Sequence, residues 1–476
     1  MNTAQRIVKN TASLLFSGIV SQLIGFVVMV YLARVLGPGD FGKINFAIAI
    51  IAYFMLLADF GLPLLGIREI AGDRGKVINY AGDILTMRLC LSFFSFGLLA
   101  VMTYFLNKPI EIKYLIVLYG LGLIPSALLL DWAFQGVEKM EYIGIGRILS
   151  IGIYLGLIVS FIKSSNQLLF IPPFQVIGNL IAAGLLFSIF IKKFGKPRFR
   201  FNVSSWKKVF MQALPIGISI IMIQLIYNID TVMLGFMRSN AEIGYYNAAY
   251  KIILPLIMVG AVYFDAIFPI TAKYYKTSLD SLKKLQSYTA KLMVIIALPL
   301  AVGGTILSKP IMNLLYGPKY NNGIIAFQIL IWAVALIYLN TIYAKGMWAC
   351  NKQGVFLKIV SAQAIVNILL NFILIPELGI VGSAISTVSS ELFGFPFYYW
   401  QFNKVVNVPI HNYIVRPLFA ATIMGVFLKF LVNLNIFFLM FGGIFIYAIF
   451  LYFIKGITRN DLRLIQDALY RKLWNL

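Results

Sequence analysis

The stretch LPIGISIIMIQLIYNIDTVMLGFMRSNAEIGYYNAAYK, residues 214–251, reads as a hydrophobic helix, a short polar turn and the start of a second helix. Gln224, Asn228 and Asp230 fall on the first helix, and Lys251 opens the second. An ionisable group inside a membrane span costs roughly 2.5–3.5 kcal/mol on insertion scales, so it normally faces a cavity or a partner. The same stretch has an echo near the N-terminus. Shifting residues 12–49 forward by 202 positions sets Ser17 on Ser219, Gln22 on Gln224 and Leu32 on Leu234. Beyond the turn, Asp40 meets Glu242, Gly42 meets Gly244, Asn45 meets Asn247 and Ala47 meets Ala249, with no gap. An internal repeat of this length marks a transporter built from two related halves, with the substrate site between them.

Composition supports that reading. The 476 residues are 61% hydrophobic, well above the 45–50% or so of soluble domains. Apolar runs of about 20 residues recur along the whole length and leave no polar block for a soluble domain. The net charge of +23 does not point to nucleic acid, because the basic residues sit in short loops between spans. Cys90 and Cys350 lie in or beside apolar spans and define no disulfide or metal spacing. The first apolar run is too long for a signal-peptide core, so it is expected to be a retained span.

Hydropathy predicts an all-α polytopic membrane protein of about fourteen spans. The first six run at about 12–36, 42–67, 84–106, 113–137, 143–163 and 167–191. The next six run at about 209–237, 248–272, 292–315, 323–349, 356–375 and 378–402, and two more at about 413–434 and 436–454. The expected organisation is a six-helix lobe over 1–191, a basic cytoplasmic linker over 192–208 and a second lobe over 209–402. Two extra spans and an amphipathic tail fill 403–476, the tail carrying Leu462, Ile465, Leu469 and Leu473 on one face. Pro172, Pro173 and Pro269 fall within spans, where proline can kink a helix. Roughly 30 of the 40 basic residues collect on one side of the membrane, among them Arg6, Lys9, Arg68, Arg74, Lys192, Lys193 and Lys283. That side is cytoplasmic by the positive-inside rule, which places both termini there.

Several activities are disfavoured. The chain has no G-x-x-x-x-G-K-[ST] phosphate loop; Gly75-Lys76 is followed by Val77. His411, the one histidine, sits in an expected cytoplasmic loop, which argues against a histidine-dependent acyltransferase. No paired carboxylates or His/Cys cluster suggests a metal site or a cofactor, and an enzyme is not expected. What remains is a set of intramembrane polar groups. Asp59 and Asp230 each lie about eight residues, roughly 12 Å, inside a span end; Asp265 is similarly deep and Glu391 is near mid-span. Asp131, Arg88 and Lys291, near span ends, read as structural pairs or snorkelling groups, whereas Asp230, Lys251 and Asp59 read as cavity groups.

Four segments resemble a known family. YLARVLGPGDFG (31–42) with Phe46-Ala47 looks like the first hairpin of the polysaccharide transporter (Wzx-type) flippases. DFGLP (59–63) with GIREIA (66–71) is similar to the segment closing their second span, and DWAFQGVEKM (131–140) to their Phe-Gln-Gly-x-Glu-Lys-Met segment. DTVMLG (230–235) with GYYNAAYK (244–251) looks like the start of their second lobe. The resemblance implies the fold of the multidrug/oligosaccharidyl-lipid/polysaccharide exporters: two pseudo-symmetric six-helix lobes around a V-shaped cleft, plus two C-terminal helices. It implies a flippase moving undecaprenyl-pyrophosphate-linked oligosaccharide repeat units outward for O-antigen, capsule or exopolysaccharide synthesis. Lys251 and, behind it, Arg34 and Arg68 would meet the pyrophosphate. Gln22, Gln224 and Asn228 would hydrogen-bond sugar or headgroup. Asp59, Asp230, Asp265 and Glu391 would couple transport to an H+ or Na+ gradient. Partners on this reading are membrane lipids and the polysaccharide polymerase and chain-length machinery. A cation-coupled multidrug exporter is the alternative on the same fold, and a membrane polysaccharide polymerase a third. The lipid II flippases carry several arginines in the first two spans, whereas the interior of the first span here holds only Ser13, Ser17, Ser21 and Gln22, which argues against lipid II.

Overall fold

A computed structural model describes residues 3–199 and 203–457; the expected amphipathic tail, 458–476, lies outside the described residues, as does part of the basic linker. The described residues form helices and short 3-10 turns, with no strand. They make two compact units, Met1–Asn247 and Ala248–Leu476.

In the first unit α1 (Thr3–Asp59) carries the first expected span and most of the second, divided at Gly37. Gly37 has φ +74°, a left-handed conformation that glycine adopts without penalty, and Pro38 follows with no N–H to continue the ladder. The helix stops at Asp59, because Phe60 and Gly61 both take positive φ, and α2 (Leu62–Gly72) restarts with Pro63 in its first turn. The second expected span is thus broken, and Asp59 sits at the break rather than inside a continuous helix. After α3 (Val77–Phe105), the fourth span is broken twice, into α4 (Ile110–Gly120), α5 (Leu123–Leu128) and α6 (Asp131–Gly136). Then come α7 (Met140–Phe161), α8 (Ile171–Phe194) and α9 (Val203–Met237). Pro172 and Pro173 stand in the first turn of α8, where no N–H is required, so they start the helix rather than kink it.

The motif segments turn out to be packing devices. A Cβ on Gly66 would lie 2.4 Å from the Trp132 ring, and one on Gly136 would lie 2.8 Å from Ile70 Cβ. Small residues at these two positions let α2 and α6 touch. Phe134 is fully buried among Tyr142, Phe190 and Phe194. Glu138 takes φ +60°, the Lys139 N–H returns to Phe134 O at 2.8 Å, and the helix ends there. The Glu138 carboxylate pairs with Arg74, and its carbonyl accepts from Asn10 Nδ2 at 2.9 Å.

The second unit contains most of α10 (Asn240–Thr277), followed by α11 (Leu279–Ile306), α12 (Ser308–Tyr316) and α13 (Ile324–Ala349). It closes with α14 (Gln353–Leu378), α15 (Ile380–Asn403), α16 (His411–Phe430) and α17 (Ile436–Phe453). Helices α13, α14 and α15 pack on one another, and α16 and α17 lie against α11 through Ala420, Met424, Leu428 and Leu439. Large apolar side chains face outward along whole helices, such as Leu369, Phe372, Phe441 and Phe445. That pattern suits hydrocarbon rather than water. Among the described residues twelve helical stretches are long and apolar enough to cross a bilayer; the first holds both the first and second expected spans, and α9 covers the expected seventh. The chain is a multi-pass membrane protein, and fourteen stays the sequence-based number.

Candidate functional site

The repeat found in the sequence is written into the geometry of the first unit. Asn45 Nδ2 donates to Phe41 O at 2.8 Å, and its repeat mate Asn247 donates to Ile243 O at 3.0 Å, four residues back in each case. Both amides are buried. A Cβ on Gly42 would lie 1.8 Å from Asn240 O, and one on Gly244 would lie 1.9 Å from Pro38 O. Asn240 and Pro38 are themselves 202 positions apart. The turn inside α1 and the turn between α9 and α10 therefore exchange equivalent carbonyls across a pair of glycines. Phe46 and Phe236 meet edge-to-face at 5.6 Å beside them, with Lys108 Nζ within 5.9 Å of both rings.

The polar groups of the opening stretch divide into two kinds. Asp230 is 4% exposed and accepts from the Tyr246 hydroxyl at 2.7 Å; one residue on, Thr231 Oγ1 bonds Asn247 Oδ1 at 3.3 Å. This network ties α9 to the start of α10. Gln224 and Asn228, one turn apart on α9, are half-buried and joined by Asn228 Nδ2 donating to Gln224 Oε1 at 3.1 Å. The repeat mate Gln22 is exposed on α1. Lys251 lies about three turns inside α10 instead of opening it, because the helix begins in the polar segment before the apolar run. It is half-buried and has no hydrogen bond or ion pair among the described residues. Pro255, four residues on, cannot donate to the Lys251 carbonyl.

The remaining expected residues lie elsewhere. Arg34 is exposed just before the α1 kink, and Arg68 is exposed and bonded to Glu69 at 2.8 and 3.1 Å. Asp59 accepts twice on Oδ1 from Arg88, at 2.9 and 2.6 Å, while Arg88 also donates to Leu129 O and Ser126 O. Asp59 also borders a cavity of about 190 Å³ with Leu56, Phe60, Pro63 and Leu64. Asp265, on α10 about 21 Å along the axis from Lys251, is exposed and paired with Lys345 at 2.7 Å. Glu391, on α15, meets Asn340 and Gln363. Asp131 lies 3.5 Å from Arg147, the structural pairing expected for it.

Tyr246, Asn340, Gln363 and Tyr398 were not singled out from the sequence. Asn340 and Gln363 carried a usable signal, since each is a primary amide inside an apolar run.

Comparison with known proteins adds an independent line. Residues 7–275 match the polysaccharide biosynthesis protein family. An Escherichia coli (strain K12) protein provisionally named O-antigen transporter is 24% identical over 371 residues, covering 76% of this chain and 88% of that protein. The capsular polysaccharide biosynthesis protein CapF of Staphylococcus aureus is 24% identical over 420 residues, 84% of this chain and all of CapF (100%). Among solved structures, a lipid II flippase in an inward closed conformation superposes with TM-score 0.70 at 15% identity, over 93% of this chain and 98% of that one. An inward-facing multidrug resistance transporter superposes with TM-score 0.65 at 13% identity, over 81% and 95%. At these identities the structural likeness speaks to the fold.

Proposed function

The chain belongs to the polysaccharide biosynthesis protein family, and on that premise we propose that it is a flippase for undecaprenyl-pyrophosphate-linked oligosaccharide repeat units. It works in the plasma membrane, with both termini cytoplasmic, by alternating access of two six-helix lobes driven by an ion gradient, and it catalyses no reaction. The observation that carries the reading is Lys251, a half-buried ammonium on a membrane helix with no partner among the described residues. A cation kept unpaired in a span is costly unless an anion comes to it, and a pyrophosphate is such an anion. The Gln224–Asn228 pair offers amide donors and acceptors to sugar hydroxyls. Arg34 and Arg68 are secondary phosphate contacts and Gln22 a further amide. Asp59, Asp230 and Asp265, already bonded to Arg88, Tyr246 and Lys345, are the weaker ion-coupling residues, and Glu391 the stronger. The names of the relatives support the cargo class, since one is an O-antigen transporter and another serves capsule synthesis.

The test is translocation of a labelled undecaprenyl-pyrophosphate-linked oligosaccharide in proteoliposomes. Lys251→Gln is expected to weaken substrate binding roughly ten- to hundredfold, the loss of one charge-assisted contact of about 1.5–3 kcal/mol. Lys251→Arg is expected to restore most of it. Thermal stability should not fall, because no bond among the described residues is removed. Full transport by Lys251→Gln removes the phosphate role. Export of cationic drugs, with no movement of the lipid-linked sugar, transfers the chain to the multidrug reading.

A further inference from the structure

Glu391 is the one charged residue on α15, and no basic side chain reaches it among the described residues. The helices packed on α15 are α13 and α14. Their charged residues are turned to other tasks: Lys345 pairs with Asp265, Lys358 is exposed, and Glu377 is at the far end of α14. Instead the carboxylate is met by amides. Asn340 Nδ2 donates to Glu391 Oε2 at 2.7 Å and to the Glu391 carbonyl at 2.9 Å. Gln363 Nε2 stands 3.5 Å from Oε2 and 3.2 Å from Ser390 O, and the Tyr398 hydroxyl holds Gln363 Oε1 at 2.8 Å. Gly394 makes room for this amide, since a Cβ there would lie 2.2 Å from Gln363 Nε2. Tyr398 is the nearby titratable side chain; Tyr338 and Tyr343 of α13 bond to the Leu256 and Val408 carbonyls. One acceptor is left over. Asn340 Oδ1 is buried without a hydrogen-bond donor among the described residues, on a residue only 4% exposed.

From this arrangement we infer that Glu391, Asn340 and Gln363 form a proton-binding site within the unit Ala248–Leu476. The inference rests on the transporter reading above and names its coupling ion. Both amide donors address Oε2, which leaves Oε1 as the oxygen to protonate. Once protonated, Oε1 becomes the donor that Asn340 Oδ1 lacks, completing the reciprocal pairing of a primary amide with a carboxylic acid. The same step removes an unpaired charge from the span. A hard metal cation is served poorly, because it wants about six oxygens and here the amide nitrogens and the Tyr398 hydroxyl already occupy two acceptors.

Infrared difference spectra of the purified full chain, recorded as pH is lowered, test the site without any substrate. A carboxylic acid carbonyl band should appear on acidification, be absent in Glu391→Gln and move in frequency in Glu391→Asp. In proteoliposomes a proton gradient should accelerate wild-type translocation, whereas Glu391→Gln should run at the same rate with and without it. A band unchanged in both variants, or acceleration by a sodium gradient in place of a proton gradient, overturns the proposal. If the band behaves as expected but the wild type moves no lipid-linked oligosaccharide, the proton site stands and the assigned cargo falls. If Glu391→Gln fails to accumulate, Glu391→Asp carries the spectroscopic test alone.

Discussion

Arg88→Ala is expected to cost about 2–4 kcal/mol of stability, from the lost charge-assisted bonds to Asp59 and the lost donor to a buried carbonyl. The guanidinium is 5% exposed and serves three acceptors on two interrupted segments: Asp59 at the end of α1, Ser126 O at the end of α5 and Leu129 O between α5 and α6. The Leu129 carbonyl lies where helical pairing fails, and in a bilayer no water stands ready to replace the lost donor. Leaving the Leu129 carbonyl unserved costs about 1–3 kcal/mol, whereas Ser126 O keeps the Leu129 N–H at 3.2 Å. The Asp59 side chain is 42% exposed towards its cavity, so its share is the smaller one. Asp59→Asn, which keeps an accepting oxygen, should therefore destabilise less than Arg88→Ala. Arg88→Lys should recover little, because an ammonium lacks the planar fork that reaches carboxylate and carbonyls together. The midpoint of thermal unfolding in detergent reads all three variants. An Arg88→Ala protein that melts with the wild type would mean the two breaks hold themselves open.

The second large effect is expected at the paired glycines. In Gly42→Ala the new methyl falls 1.8 Å from Asn240 O and 2.9 Å from Gly244 N, and in Gly244→Ala it falls 1.9 Å from Pro38 O. Overpacking costs about 1–3 kcal/mol where side chains can yield, and here the obstacles are backbone atoms that cannot rotate away. Each variant should sit at or above the top of that range and lose most translocation. Gly39→Ala is the control: it lies one residue past Pro38 and its Cβ would meet nothing within 4 Å. The double variant should cost less than the sum of the singles, since the first methyl already parts the two turns. Strict additivity in a melting series would show that the glycines act separately.

Much of this was open to a reader of the sequence, for a definable reason. The 202-residue shift picked out Gly42, Gly244, Asn45 and Asn247 because a duplicated contact must reuse the same small or amide residue in each copy. The breaks in the second and fourth spans were hidden, because LGLIPSALLLDW stays apolar straight through its two interruptions. Hydropathy reports which groups meet lipid and says nothing of helical continuity. The position of Lys251 along its helix is hidden for the same reason: α10 begins in the polar segment from Asn240, before the apolar run. Asp59 and Arg88 each stand out as charged residues in or near spans, but no periodicity joins them, as they are 29 residues apart on different helices. Asn340 and Gln363 escaped because an amide in a span declares its purpose only once the carboxylate it faces is known.

The swapped carbonyls at Gly42 and Gly244 also bear on how such a chain could have arisen. If an ancestral half once paired with a second copy of itself, the contact was made twice by one gene, so a single side-chain gain would have struck both partners at once. After fusion the copies mutate independently, yet neither glycine can enlarge without colliding with the other copy's turn. Two distant codons of one reading frame are thereby held to the same choice, and a trace of the joining event is kept in that contact.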